Sequence, residues 1–250
     1  MELYIIVLTM AVAFGAGIAD TALGMCYGTI MVPPLLMLGY DPLMVIPTVL
    51  ITQFLINLIA TVFHVRERNI RREDLRQGML IAVPATVMAA VGSLAALAVP
   101  GVFLKGYIGI IVLAMGIFLL AGFRISTSGK GMVFLGVAAG FNKGFSGGGF
   151  GPIVTSGQII MKERVRSAIG ISDLSQVSVS VVGFMVYYVM EGAYMYDLFL
   201  VVLVPIVITG FTGPYLTRRI ARHPKIERYL GLTVLLLGIG TIAKVAMDYM

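Results

Sequence analysis

Apolar residues run along this chain in stretches long enough to cross a bilayer, separated by short polar connections. A spanning helix needs roughly 20 apolar residues. Six stretches, at about 43–63, 78–98, 105–123, 167–190, 197–217 and 229–248, each have that length. Two more, at about 3–39 and 131–161, are too long for one helix, and glycine and proline interrupt both. The first carries Gly24-Met25-Cys26-Tyr27-Gly28 and then Pro33-Pro34; the second carries Gly147-Gly148-Gly149-Phe150-Gly151-Pro152. The pattern predicts an all-α polytopic membrane protein. Each half is expected to supply one broken, re-entrant helical hairpin and three transmembrane helices.

Charge orients these segments. Arg66, Arg68, Arg71, Arg72 and Arg76 share one connection, Arg124 and Lys130 a second, and Lys162, Arg164 and Arg166 a third. Arg218, Arg219, Arg222, Lys225 and Arg228 share a fourth. The other connections carry Glu2, Asp41, Glu191, Asp197 and Asp248, with Lys105 and Lys244 as the bases near them. Basic loops stay in the cytoplasm. Segment 131–161 then begins and ends inside, and 3–39 begins and ends outside, so both termini are expected to be extracytoplasmic.

The two broken segments superimpose at an offset of 123 residues. Gly17 falls on Gly140, Gly24 on Gly147, Gly28 on Gly151, Ile30 on Ile153, Ile46 on Ile169 and Gln53 on Gln176. Pro84 and Gly92 match Pro205 and Gly213 at an offset of 121, and Tyr107, Gly109 and Gly116 match Tyr229, Gly231 and Gly238 at 122. Residues 1–123 and 124–250 thus read as two repeats of one membrane domain. An odd number of crossings in each makes them inverted, the layout of secondary transporters with broken helices at matching places.

Composition narrows the function classes. The chain is 59% hydrophobic and 12% charged, against about a quarter charged in soluble domains. Its net charge of +6 is concentrated in short loops, so it reports topology and gives no reason to expect nucleic acid as a partner. The lone cysteine, Cys26, excludes an internal disulfide. The opening Met-Glu-Leu-Tyr lacks a basic n-region, so residue 1 onward is read as mature protein. No glycine run is followed by Lys-Ser/Thr in a phosphate-binding frame, so no nucleotide site, cofactor or metal is expected.

Unpaired backbone at membrane depth is tolerated only where it faces protein or a watery cavity. Two breaks entering from opposite faces would bring their tips together near the midplane. They would present helix N-termini from Thr29 and from Pro152 onward, which attract anions. Gly136, Gly140, Gly144 and Gly148 also recur every fourth residue, as a close-packing seam would. Such a seam leaves Gly147 and Gly149 unexplained.

These residues resemble the sulfite exporter TauE/SafE family. The second half carries the signature as Gly140-Phe-Asn-Lys-Gly144-Phe-Ser-Gly147-Gly-Gly-Phe-Gly151-Pro152, followed by Ala168-Ile-Gly170-Ile-Ser172. The first half carries it as Gly17, Leu23-Gly24, Gly28, Val32-Pro33-Pro34-Leu35 and Leu38-Gly39, with Met25 and Cys26 where the family usually has glycine. The resemblance implies transport of a small sulfur-containing anion (sulfite, thiosulfate or a sulfonated organic acid), usually outward, across the cytoplasmic membrane.

Three ionisable residues fall within apolar segments: Asp20, Lys143 and Asp173. A charge at membrane depth costs about 2.5–3.5 kcal/mol or more, so each is a functional candidate. Asp20 and Lys143 are equivalent at the 123 offset and are expected to lie close enough to pair. Lys143 would supply the positive charge of the anion site, Asp20 a counter-ion or proton carrier, and Asn142 and Ser146 neutral donors. The backbone of Gly147, Gly148, Gly149, Gly151, Gly24, Gly28 and Thr29 would complete it. Asp173, Gln176 and Ser180 share one helix face, and Gln53 and Asn57 share another. Gln53 and Gln176 are expected to line the pathway. Asp173 is a second proton candidate, near the cytoplasmic end and open to solvent. His64 and His223 read as loop residues. An anion channel is the neighbouring reading. An intramembrane serine hydrolase built on Ser146 is a distant one, because it needs a base. The small-residue seams leave a homodimer open.

Overall fold

The structure is a computed structural model that describes residues 3–121, 129–160, 164–192, 194–220 and 224–249. Every regular element among them is a helix: α1 (Leu3–Leu23), α2 (Tyr27–Met37), α3 (Pro42–Arg66), α4 (Asp74–Leu97), α5 (Gly101–Ala121), α6 (Gly129–Ser146), α7 (Phe150–Ile160), α8 (Val165–Glu191), α9 (Tyr196–Ile220) and α10 (Pro224–Tyr249). The six expected spans are α3, α4, α5, α8, α9 and α10, their ends shifted by a few residues. The two long segments break where the glycines lie, into α1 and α2 and into α6 and α7. One difference is in the count. The first break falls after 21 helical residues, so α1 is itself long and apolar enough to cross a membrane. Seven of the described helices qualify, against the six expected. By contrast α2 and α7 have 11 residues each, about 16 Å at 1.5 Å per residue, or half the hydrocarbon thickness.

Local chemistry sets several boundaries. Asp41 caps α3, its carboxylate accepting from the Leu43 N–H at 2.7 Å, with Pro42 at the first helical position. At the other end Arg68 adopts φ +54°, and the Asn69 N–H reaches back to the His64 carbonyl at 2.8 Å. This left-handed turn folds the chain after α3 back over its last turn. The consequence is felt at the site.

The molecule departs from a soluble protein in what it exposes and in some of what it buries. Val83, Val87 and Val91 on α4 are exposed, as are Phe103 on α5 and Leu232, Leu236 and Ile239 on α10. Asp20, Gln53, Asn57, Lys143, Asp173 and Gln176 are buried. An apolar surface around an apolar core that also holds polar groups suits hydrocarbon as the solvent.

Helix α3 packs on α8 at the centre, and these two are the most enclosed of the spans. Around them α4 packs on α6 and α8, α9 packs on α1 and α3, and α5 packs on α10. The α4–α6 contact explains three of the four seam glycines. Gly136, Gly140 and Gly144 lie against the backbone of Ile81, Ala85 and Ala89, leaving no space for a Cβ. Gly148 belongs instead to the break, against Gly28 and Thr29. Gly140→Ala and Gly144→Ala should each cost about 1–3 kcal/mol by overpacking. Gly15, with nothing near its Cβ position, should accept alanine with no loss. Thermal unfolding of the three variants in detergent checks this.

Candidate functional site

The two breaks meet tip to tip. Gly24 and Cys26 take φ +71° and +89°; Gly147 and Gly149, at the 123 offset, both take +75°. The backbone therefore makes the same alternating turn twice, and Cys26 adopts it despite its side chain. A Cβ on Gly28 would strike the Gly147 carbonyl, and a Cβ on Gly151 would strike the Gly24 carbonyl. The Gly149 N–H donates to Thr29 Oγ1 at 3.0 Å. Thr155 and Ser172 donate to the Gly24 carbonyl at 2.7 and 3.2 Å. Gly24, Gly28 and Gly151 thus serve the crossing of the two tips.

The second break is stapled by its own side chains. Asn142 Nδ2 donates to the Gly148 carbonyl at 3.0 Å, and Asn142 Oδ1 accepts from the Tyr107 hydroxyl at 3.0 Å. Ser146 Oγ donates to the Asn142 carbonyl at 2.8 Å and lies 3.3 Å from the Gly148 N–H. The polar groups of Asn142 are spent holding the loop in this conformation. Tyr107 escaped the sequence reading, although it belongs to a matched repeat position. Gly28, Thr29, Ser146, Gly148 and Gly149 line one crevice with Ile108, Val112 and Met115 of α5. It is too narrow here for a water molecule.

Behind this crevice lies a charge cluster. Asp20 and Lys143 come together as expected, but through an intermediary. Lys143 Nζ donates to Gln53 Oε1, and Gln53 Nε2 donates to Asp20 Oδ2 at 3.1 Å. Gln53 Nε2 also donates to Gln176 Oε1 at 2.8 Å. The two glutamines, matched at the 123 offset, are therefore in direct contact. The helix ends explain why unlike charges occupy equivalent places. Lys143 reaches the Gly147 carbonyl at 3.1 Å, at the electronegative end of α6. Asp20 accepts from the Tyr27 N–H at 3.3 Å, at the electropositive start of α2. All four side chains are at most 1% exposed.

A second cluster corrects two expectations. His64 lies in the last turn of α3 and is fully buried, as is Asp173, so neither is a loop or solvated residue. His64 Nε2 is 3.1 Å from Asp173 Oδ2 and 3.0 Å from the Thr21 carbonyl. Asn69 Nδ2 lies 2.9 Å from His64 Nδ1 and 3.1 Å from the Pro214 carbonyl. The turn after α3 is what brings Asn69 back over the ring. A signal was present: His64 is eleven residues after Gln53 and seven after Asn57, on the same face of α3. Its neighbours Arg66 and Arg68 drew it into the loop instead. His223 lies outside the described residues. Along the α3–α8 seam the side chains of Asn57, Ser175 and Ser180, and Gln176 Nε2, are buried without a hydrogen-bond partner.

Helices broken at membrane depth, with tips that meet beside buried charges, define an all-helical, multi-pass membrane protein of the transporter type. The sulfite exporter TauE/SafE family model matches residues 9–241, and the chain belongs to that family, one of membrane transporters and not of enzymes. A probable membrane transporter protein of Bacillus subtilis (strain 168), YtnM, is 26% identical over 176 residues. That match covers 65% of this chain and 57% of the relative's length. No solved structure matches.

The cluster makes a thermodynamic prediction. Asp20→Asn and Lys143→Met each leave one charge buried without its counterpart, and each should cost about 3 kcal/mol. Combined, they should cost less than the sum of the two. A double-mutant cycle of unfolding in detergent reads the difference.

Proposed function

We propose that this protein is a secondary carrier of a small anion, either sulfite, thiosulfate or an organosulfonate, across the cytoplasmic membrane. The observation that carries the reading is the meeting of the two tips. There α2 and α7 both start, beside a buried lysine. The α7 start, with Ser146 and the Gly148–Gly149 backbone, forms most of the anion-binding surface once the bonds of Gly149 to Thr29 and of Gly148 to Ser146 give way; the start of α2 is held by the Asp20 carboxylate, whose charge repels an anion. Lys143 stands one residue layer behind the crevice. It supplies the charge when the tips part and its bonds to Gln53 and Gly147 are exchanged for the anion.

The alternating-access reading draws support from the helix pairings. Exchanging the first five helices for the last five turns α4–α6 into α9–α1 and α4–α8 into α9–α3, while α3–α8 and α5–α10 map onto themselves. Two inverted repeats, 1–123 and 124–250, with both termini extracytoplasmic, account for this pattern and for the basic loops together. The unpartnered polar atoms along α3 and α8 mark the route on either side of Gln53 and Gln176, since such groups are costly unless water or substrate visits them. An inside-negative potential helps an uncoupled anion outward by about 2.3 kcal/mol per charge per 100 mV.

The closed crevice supports a carrier over a channel. Hydrolysis at Ser146 has no support: its hydroxyl is engaged by Asn142 and Gly148, while Lys143 is turned to Gln53 and Gly147. In proteoliposomes, Lys143→Met should reduce efflux of the transported anion at least a hundredfold, with the melting curve still cooperative. Thermal stabilisation by sulfite, thiosulfate, sulfoacetate, nitrite or formate should identify that anion first. Undiminished flux in Lys143→Met would remove the site assignment.

A further inference from the structure

The His64–Asp173 cluster does something the anion site does not require. At the 123 offset His64 corresponds to Tyr187, Thr21 to Gly144 and Asp173 to Leu50. The bond from the His64 ring to the Thr21 carbonyl has its counterpart in the bond from the Tyr187 hydroxyl to the Gly144 carbonyl, at 2.9 Å. A tyrosine and a leucine therefore meet the packing demand in one half. The other half spends an imidazole and a carboxylate on it, both fully buried. We infer that His64 and Asp173 hold the coupling proton of the transport cycle, and that Asn69 passes its arrival to α9. This rests on the transport reading above.

Geometry assigns the proton's starting place. The Pro214 carbonyl can only accept, so the Asn69 atom beside it is the amide nitrogen. That same nitrogen donates to His64 Nδ1, which is therefore unprotonated, and the ring proton sits on Nε2 between Thr21 and Asp173. Two further titratable groups complete the surroundings. Asp20 on α1 adjoins Thr21 in the chain, and Gln53 bridges it to Lys143 on α6. With Lys143 charged, Asp20 ionised and one proton on Asp173, the four titratable groups sum to zero. A membrane interior favours that sum.

A bound monovalent anion makes the sum −1. One more proton, taken by His64 Nδ1, returns it to zero. Nδ1–H needs an acceptor, and Asn69 Oδ1, buried without a partner, becomes one when the amide turns over. The same turn places oxygen against the Pro214 carbonyl oxygen and breaks the tie to α9. The proton and the anion then move together, at about one proton per monovalent charge, and α9 is released only when both are aboard.

The first measurement needs no transport. The chain has two histidines, so a His223→Gln variant labelled with ¹⁵N-histidine shows the His64 ring alone. The neutral ring should be the Nε2–H tautomer. Methanesulfonate, a monovalent sulfonate whose charge is constant near neutral pH, should convert it to the doubly protonated form at fixed pH. Asp173→Asn, neutral like the protonated carboxyl it replaces, should leave that conversion in place. An Nδ1–H tautomer, or a ring indifferent to the anion, overturns the inference. In proteoliposomes, methanesulfonate flux should carry protons and ignore the membrane potential. His64→Tyr combined with Asp173→Leu, which copies Tyr187 and Leu50, should lower the proton-to-anion ratio at least tenfold and make the flux voltage-driven. Wild-type anion flux without proton flux overturns the coupling alone. Failure of methanesulfonate and of every anion in the panel above to move removes the transport reading and the coupling with it.

Discussion

The rest of this structure depends on the side-chain amide of Gln53. A lysine and an aspartate in a membrane interior are each expensive, and here they do not touch. Gln53 presents its oxygen to Lys143 and its nitrogen to Asp20, so one neutral side chain satisfies both charges at once. Its second amide hydrogen reaches Gln176 on α8. The bridge therefore joins α1, α3, α6 and α8 at a single point. Direct pairing of Asp20 with Lys143 would leave the helix dipoles unanswered. With the amide between them, Lys143 stays at the end of α6 and Asp20 at the start of α2.

Close approach at the tips works in concert with that bridge. Gly28 and Gly151 bring each break to the carbonyl of the other, and the positive φ angles at Gly24, Cys26, Gly147 and Gly149 give both breaks one shape. The two breaks share one backbone shape and carry unlike side chains. The first break is sealed by Thr155 and Ser172; the second is stapled by Asn142 and watched over by Tyr107. The same contrast recurs where the 123 offset sets His64 against Tyr187.

Membership of the sulfite exporter TauE/SafE family joins these features into one functional picture. In the function proposed above, the anion would meet a surface at the α7 start, a charge behind it and a polar seam along α3 and α8. The proposal of a sulfur-containing anion rests on the family and not on any side chain seen in the site.

Much of this was legible in the residues alone, for physical reasons. Stretches of about 20 apolar residues admit little but spanning helices, and glycine with proline in an overlong stretch admits little but a break. Asp20, Lys143, Gln53 and Gln176 stood out because polar groups in such stretches must find partners, and the 123 offset set them in equivalent pairs. Tertiary structure decided who meets whom. Gln53 lies between the charges because α3 crosses α8 at that level. Gly140 and Gly144 became packing surface because α4 lies on α6, whereas Gly147 and Gly149 became turns. His64 moved from an expected loop to the buried interior because α3 runs through Arg66 before the turn at Arg68 folds Asn69 back onto the ring. Spacing along a chain records which face a residue occupies. It carries no record of which other face, more than a hundred residues away, will be pressed against it.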